Sequence, residues 1–556
     1  MPGHRASGMT TNNDTFDYII AGGGTAGCVL AGRLSEDPRN KVLLIEAGPW
    51  DTNPAYRIPV MGVQLYLWDY NNWNFRTEPE PGLDNRQIVW PRGKVIGGSS
   101  SMNGMIWTRG AHSDYDRWAQ LGLTEWSFEK CLPYFKRLES YEPGGNDLRG
   151  ANGPMAIGRQ ESRHPLFDAF LTAGQQAGLP FNPDFNGESL EGVGRYDTNI
   201  VGGQRCSTAR AYLEPAKKRP NLRVVTDVMV ERLLLDGKRA CGIALRGKDG
   251  PLQFAASREV ILASGAVGSP GILQHSGIGH PEDLERAGIA VNHVLTGVGR
   301  NLQDHLNMTF HFEAKVKDMF FHNSRIDRAA LSMANAFFRK KGPFATVPHN
   351  CGGFLKSDPS KETPDLQIHY LASGLKSRSL RLPFQRALDG TPYGFMAHIC
   401  HLQPDSRGWI APRSPDPLAP PRIQGNYLTA QSDRIAMRAG FRRLEELTAQ
   451  PAYDGLLKRR VIPGEDVRTD EEVDAWIAAN ASTVYHPVGT CKMGLDDSAV
   501  VDERLRVRGI AGLRVIDASV MPLLVSANTQ APTIMIAERG AEWILADARQ
   551  ALVEAV

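Results

Sequence analysis

The chain has 556 residues, of which 42% are apolar and 22% charged, and 63 basic against 61 acidic side chains leave a formal net charge of +2. That composition supplies a sizeable core without disulfides or metals, and the length suits two large domains built from interleaved segments. Basic residues are spread along the sequence and form no stripe, so a nucleic-acid interface is excluded and nothing calls for an anionic partner.

Residues 1–14 are polar and read as a frayed tail rather than a secretory signal. The first strand is expected at Phe16–Ala21 within FDYIIAGGGTAG, followed by a helix over Thr25–Ser35 and a second strand over Lys41–Ile45, with Pro38 as the breaker between them. Strand, glycine turn, helix and strand in that order open a doubly wound sheet. The segment 58–86, with Tyr66, Trp68, Tyr70 and Trp73, reads either as a lid or as a subunit contact. LRVVTDVMVERLLL, GIALRG and REVILASGA predict a meander between Leu222 and Ala266, its strands parted by DGK and GKDG turns. LRVIDAS, from Leu513, predicts a last strand, and TIMIAERGAEWILADA a long final helix opened by Pro532 and Thr533. No run of about 18 consecutive apolar residues predicts a membrane-spanning helix. The seven cysteines are scattered and include no CxxC pair, which argues against a disulfide framework or zinc site and for a reducing compartment.

Gly22, Gly24 and Gly27 form GxGxxG directly after the first strand. The first glycine permits a tight turn, the second lets a pyrophosphate approach the backbone, and the third lets helix pack on strand. Free N–H groups at the helix start then face the phosphates. Glu46 ends the second strand 46 − 22 = 24 residues after the first glycine, where a carboxylate receives a ribose 2′-OH. The motif does not separate FAD from NAD. No second GxGxxG follows a strand, so a separate NAD(P) domain is not expected.

Six further runs carry a resemblance. GKVIGGSSSMNGMIWTRG (93–110) and GAVGSPGILQHSGIG (265–279) are joined by RCSTARAYL from Arg205, GVGRNLQDH from Gly297, YHPVGTCKMG from Tyr485 and GLRVIDASVMP from Gly512. Together they resemble, in order and over essentially the whole chain, the glucose–methanol–choline (GMC) oxidoreductase family, nearest to its bacterial choline-dehydrogenase-like and sorbose-dehydrogenase-like members. The resemblance implies an α/β fold: a Rossmann-like FAD-binding domain with an interleaved α+β substrate-binding domain built on an antiparallel sheet. FAD-binding parts are expected at 15–150 (with the lid at 58–86), 201–310 and 476–556, and substrate-domain parts at 151–200 and 311–475. The cofactor contacts it implies begin with Gly22, Gly24, Thr25, Ala26 and Gly27, then Glu46 and Ala47, then Arg92, Gly93 and Val95. The Gly–Ser loop adds Gly97, Gly98, Ser99, Asn103, Gly104, Met105 and Ile106, and Val228 meets the adenine end. Ala263, Gly265, Asp517, Ala518, Asn528, Thr529 and Pro532 complete the set. Met102 stands where some relatives carry a histidine bound covalently to FAD, so non-covalent FAD is expected.

Oxidising an alcohol removes a proton from oxygen and a hydride from carbon, so a base must sit within hydrogen-bond reach of the hydroxyl. Among 14 histidines, His486 is singled out by YHPVGT, which matches the family's catalytic histidine. Gln530 occupies the place of the usual second residue, His or Asn; it keeps an amide but cannot act as a base. Asn528 is assigned to the flavin, and a share in the work at the hydroxyl stays open for it. The expected function is FAD-dependent oxidation of a primary alcohol or polyol to the carbonyl, as a dehydrogenase rather than an oxidase, with no metal. Its acceptor would be a quinone, a dye-like acceptor or O2. Altered lyase or decarboxylase chemistry and a non-catalytic flavin-binding protein are the alternatives. A choline site would need aromatic rings and a carboxylate around the ammonium, and no such cage is assigned. The cytoplasm, with peripheral membrane contact left open, is the expected location, and a homo-oligomer also stays open.

Overall fold

The computed structural model describes residues 14–159, 163–248, 250–317, 323, 325–374 and 393–554, so all but the last residue of the expected N-terminal tail lies outside the described residues. Two seven-stranded sheets organise the chain.

The first sheet is laid out as Leu222–Val225, Val42–Ile45, Thr15–Ala21, Gly250–Leu262, Arg239–Gly247 and Met229–Asp236, with Leu513–Val515 added to Gly250–Leu262. Its buried runs, VLLI at 42–45 and YIIA at 18–21, are apolar on both faces, as parallel strands covered by helices must be. The helix Thr25–Leu34 covers one face and packs on the final helix, Gln530–Glu554. The strand Gly250–Leu262 serves two neighbours. Its first half pairs antiparallel with Arg239–Gly247, and its second half pairs parallel with Thr15–Ala21 and Leu513–Val515.

The run LRVVTDVMVERLLL was expected to enter the meander as a whole. Instead it is broken: Leu222–Val225 pairs parallel with Val42–Ile45 at the sheet edge, and only Met229–Asp236 joins the meander. Asp227, at φ +60°, makes the turn between them. Periodicity could not reveal this, because both pieces are short apolar runs interrupted by charged residues.

The second sheet is antiparallel throughout: Leu457–Ile462, Leu306–Ala314, Gly394–His401, Leu366–Leu371, Cys351–Leu355 and Gly192–Arg195, with Ser482–Thr483 added to Leu306–Ala314. Alternation gives it two different faces. Met308, Phe310, Phe312, Ile368, Tyr370, Phe395, Ala397 and Ile399 join a core with Phe167 and Phe170 of one helix and Met437, Phe441 and Leu444 of another. Each such buried Met, Leu, Ile or Phe contributes about 1.5–3 kcal/mol. The strand positions between them carry Asn307, Thr309, Gln367, His369, His398 and Cys400. A polar sheet face that is nevertheless buried is where a site belongs.

Candidate active site

At the glycine turn, two positions are closed and one is open. A Cβ on Gly22 (φ +107°) would lie 2.6 Å from the Ala263 carbonyl oxygen, and one on Gly27 would lie 1.8 Å from that of Gly22. At Gly24 the nearest atoms, Ala263 O and Gly98 Cα, stand 3.9 and 4.0 Å away, which leaves room for a pyrophosphate to approach the backbone. No side chain caps the helix that follows, so the first-turn N–H groups of Thr25, Ala26 and Gly27 face that opening without a capping partner.

Glu46 is buried and accepts hydrogen bonds from the Gly23 and Gly48 amides at 2.9 and 2.8 Å, while desolvation pushes its pKa up to about 7. A carboxylate has about four lone-pair sites, so capacity for a ribose hydroxyl remains. Ala47 lies in that same short turn, and the Val228 amide donates to the Glu46 carbonyl at 3.2 Å, which sets Val228 beside it. Asp517 is buried and accepts from Gly265 N–H at 2.8 Å, Ser269 Oγ at 2.5 Å and Ser519 N–H at 2.8 Å, thereby tying Ala518 to the Ala263–Gly265 turn.

The Gly–Ser loop folds directly onto this turn. Gly97 (φ +88°) donates to the Gly23 carbonyl at 2.7 Å, and a Cβ on Gly98 would meet Gly24 Cα at 2.8 Å. Within the loop Gly98 N–H reaches Val95 O at 2.7 Å, and Gly93 N–H reaches Ser99 Oγ at 3.3 Å. Met105, left-handed at φ +64°, donates to Asn103 Oδ1 at 3.2 Å, and the Gly104 carbonyl meets His349 Nε2 at 2.6 Å. Ile106 then pairs with Thr198. An open glycine cradle, an uncapped helix start and a buried ribose-distance carboxylate fit a dinucleotide. The Arg92 guanidinium reaches the Pro91 and Tyr485 carbonyls, both at 2.6 Å, and so anchors the residue before His486.

His486 is held from three sides. Its N–H donates to Asp304 Oδ1 at 2.7 Å. The other oxygen of Asp304 accepts from Tyr427 Oη at 2.6 Å and from Thr483 Oγ1, and burial raises this carboxyl above its ordinary pKa. Tyr485 sits at φ +70°, a left-handed conformation that costs a non-glycine residue about 1–3 kcal/mol and turns the chain so that the imidazole points inward. The Tyr485 ring packs 5.8 Å from that of Tyr66, whose segment reads either as a lid or as a subunit contact.

The ring's hydrogen-bond partners fix its tautomer. His305 Nε2 lies 3.1 Å from the Leu402 carbonyl, which can only accept, so that nitrogen carries hydrogen. Burial pushes the His305 pKa down to about 3, so the ring is neutral and its Nδ1 is bare. His486 Nδ1, 2.9 Å away, must therefore be the donor, which leaves Nε2 of a neutral His486 as a bare acceptor. Desolvation, with His305, His369 and Arg92 nearby, holds the His486 pKa well below its ordinary value. Asn528 Nδ2 stands 3.3 Å from this nitrogen, while Asn528 Oδ1 accepts from Thr108 Oγ1 and Gln367 Nε2, each at 3.2 Å. A histidine with a lone pair directed inward, beside an amide donor, can take a proton from a hydroxyl.

The sequence set Gln530 beside His486. The structure sets Asn528 there, and Gln530 accepts through Oε1 from Asn103 Nδ2 at 2.5 Å. The final helix also begins earlier than expected, at Gln530 rather than Pro532. Thr533 N–H reaches Thr529 O at 3.1 Å, so Pro532 sits in the first turn, where its missing N–H costs nothing. Sequence reasoning gave no role to Asp304, His305, Thr108, Gln367 or Arg205. Four of these lie in motifs that the sequence displays; Gln367, on the second sheet, carries no local signal.

Comparison with known proteins gives a consistent outcome. GMC oxidoreductase family models match residues 16–307 and 404–537. Human mitochondrial choline dehydrogenase is 41% identical over 97% of this chain and 91% of its own length. The alcohol dehydrogenase [acceptor] of Pseudomonas putida is 41% identical, covering 97% of each chain. Among solved structures, a FAD-dependent oxidoreductase from Chaetomium thermophilum superposes with a TM-score of 0.87 at 27% identity, covering 96% of this chain and 100% of that one.

Proposed function

The chain belongs to the GMC oxidoreductase family, and from that premise we propose that it oxidises the CH–OH group of a primary alcohol or polyol to the carbonyl, with His486 as the base. The observation that carries this reading is the hydrogen-bond chain from the Leu402 carbonyl through His305 to His486, which leaves Nε2 unprotonated, its lone pair met by Asn528 Nδ2 at 3.3 Å. The substrate hydroxyl gives its proton to that nitrogen, and Asn528 Nδ2 steadies the oxygen from beside it. The proton leaves His486 cationic, with its Nδ1–H still held by His305. Bound FAD supplies the acceptor for the hydride.

In this reading segments 15–150, 201–310 and 476–556 hold FAD through the residues named above, segments 151–200 and 311–475 meet the substrate, and 58–86 closes over the site. Met102, a thioether with no imidazole nitrogen to alkylate, leaves FAD non-covalent. The relatives' names favour a dehydrogenase, with a quinone, a dye-like acceptor or O2 as the electron acceptor.

The experiment is anaerobic mixing of the FAD-loaded protein with choline, sorbose, glycerol, benzyl alcohol and medium-chain alcohols, followed by the bleaching of oxidised flavin. Fast bleaching by one of them, slowed about a thousandfold or more in His486→Ala, is expected, within the usual 10²–10⁴ range for a general base. An unslowed variant would remove His486 from the role.

A further inference from the structure

We infer that Arg205 is a positioning residue for this reaction: through Asn103 it locks the Gln530 amide so that Gln530 offers only N–H donors to the flavin or to the reacting oxygen. The inference rests on the function proposed above.

A guanidinium can donate but cannot accept. Arg205 is 2% exposed, and its Nη1 lies 2.6 Å from Asn103 Oδ1 and 3.2 Å from Ser100 O, with Nη2 2.8 Å from Asn103 O. With the Asn103 amide reversed, two donors would face each other at that 2.6 Å separation. The Met105 amide, 3.2 Å from the same oxygen, requires the same orientation. Asn103 Nδ2 must therefore face Gln530, 2.5 Å away, and Gln530 must meet it with Oε1. That leaves Gln530 Nε2 as the free end of the amide. It is buried and has no hydrogen-bond partner among the described residues, on a residue only 9% exposed. Buried amide donors are nearly always satisfied, so the missing acceptor belongs to a bound molecule.

Its surroundings indicate which one. Gln530 is the first residue of the final helix, two positions after Asn528, which touches His486, and its partner Asn103 belongs to the loop folded on the nucleotide turn. Gln530 thus joins the cofactor side of the site to the proton-accepting side. Arg205 has no carboxylate among its described hydrogen-bond partners, and burial pushes its pKa down to about 9, so the cation is still present at neutral pH.

The test is a double-mutant cycle on the FAD-loaded enzyme with Arg205→Lys, Gln530→Met and the double variant, each checked first for FAD content and unfolding midpoint. Gln530→Met is expected to slow anaerobic flavin reduction by alcohol about a hundredfold, the scale of losing one preorganised donor. Arg205→Lys keeps the charge but loses the fork and is expected to slow it about tenfold. Because Arg205 acts through Gln530, the double variant should match Gln530→Met alone. A double variant slower than Gln530→Met by the full factor of Arg205→Lys would overturn the inference, since independent effects multiply. If Arg205→Lys does not retain FAD, Asn103→Asp takes its place in the cycle: an aspartate can only accept, so it turns Gln530 around at constant volume. The flavin reduction potential, measured without substrate, identifies the acceptor. A fall in Gln530→Met identifies the flavin; an unchanged potential with slowed reduction identifies the substrate oxygen. A wild-type protein that no alcohol reduces would sink the proposed function instead. The cycle is then read on the potentials, and equal values in all four proteins overturn the inference.

Discussion

Arg149 and Arg205 are buried to the same degree, 1% and 2% exposed, yet they live in opposite electrostatic surroundings. Arg149 reaches Glu139 at 2.8 Å, Asp184 at 2.7 Å and Asp197 at 2.8 Å, and Arg109 and Arg159 complete a network of three cations and three carboxylates. Trp107 Nε1 adds a hydrogen bond to Glu139 at 3.0 Å. Every charge there is answered from within the protein, and the pKa of Arg149 is raised. Among the described residues Arg205 meets only carbonyl and amide oxygens, and its pKa is lowered. The charges around Arg149 pair with one another, with Arg109 Nε the one buried polar atom of these six side chains left without a partner among the described residues, so the network has little to offer a ligand. A buried cation without a counter-charge keeps both its field and its donor geometry for use elsewhere, which separates scaffold from site among residues that burial alone cannot distinguish.

The sharpest way to break this comparison is to delete each arginine. Arg149→Met strands Glu139 and Asp197 as buried carboxylates without their main partner and should cost about 3–5 kcal/mol in denaturant unfolding. Arg205→Met should cost less, because losing neutral acceptors is partly offset by relieving an unanswered buried charge. Equal losses would erase the distinction.

A smaller effect is expected on the site side from His305→Ala. Without its Nδ1 the His486 tautomer is no longer fixed, and flavin reduction should slow about tenfold to a hundredfold, or roughly 1.4–2.7 kcal/mol. His305→Gln, whose Oε1 can accept from His486 Nδ1, should recover part of the rate; no recovery would mean that the ring matters for packing alone.

The smallest effect, per pH unit, comes from acid. Burial pushes His305 and His369 down to about 3, below the roughly 6.5 of an unfolded histidine. The unfolded chain binds more protons between these values, so their stabilising contribution is full above about pH 6.5 and is lost as pH falls toward 3. Each should remove about 1.4 kcal/mol per pH unit within that window. A denaturation midpoint that stays flat from pH 6.5 to 5 would mean these rings are solvated in solution.

Much of the site was legible because its chemistry is local. Gly22, Gly24 and Gly27 act through their own backbone, and the strand before them and the helix after them are read from adjacent residues. Glu46 follows at a spacing set by one helix and one strand. His486 was legible only because its neighbours spell a family motif; nothing in His–Pro by itself marks a base. The division of work between Asn528 and Gln530 was not legible. Two amides two residues apart look alike in sequence, and which one meets His486 depends on Thr108, Gln367, Asn103 and Arg205, none of them adjacent in the chain.

The sequence by itself determined the nucleotide turn, the parallel strands around it and the interleaving of two sheets, and it singled out the histidine proposed as the base, because each rests on short-range geometry or on a contiguous motif. Tertiary structure alone decided how LRVVTDVMVERLLL divides between two strands, where the final helix begins, which amide meets His486 and which nitrogen of His486 carries no hydrogen. Those outcomes depend on the direction of hydrogen bonds between groups up to hundreds of residues apart. A donor or acceptor acquires its role only from the partner that folding sets against it.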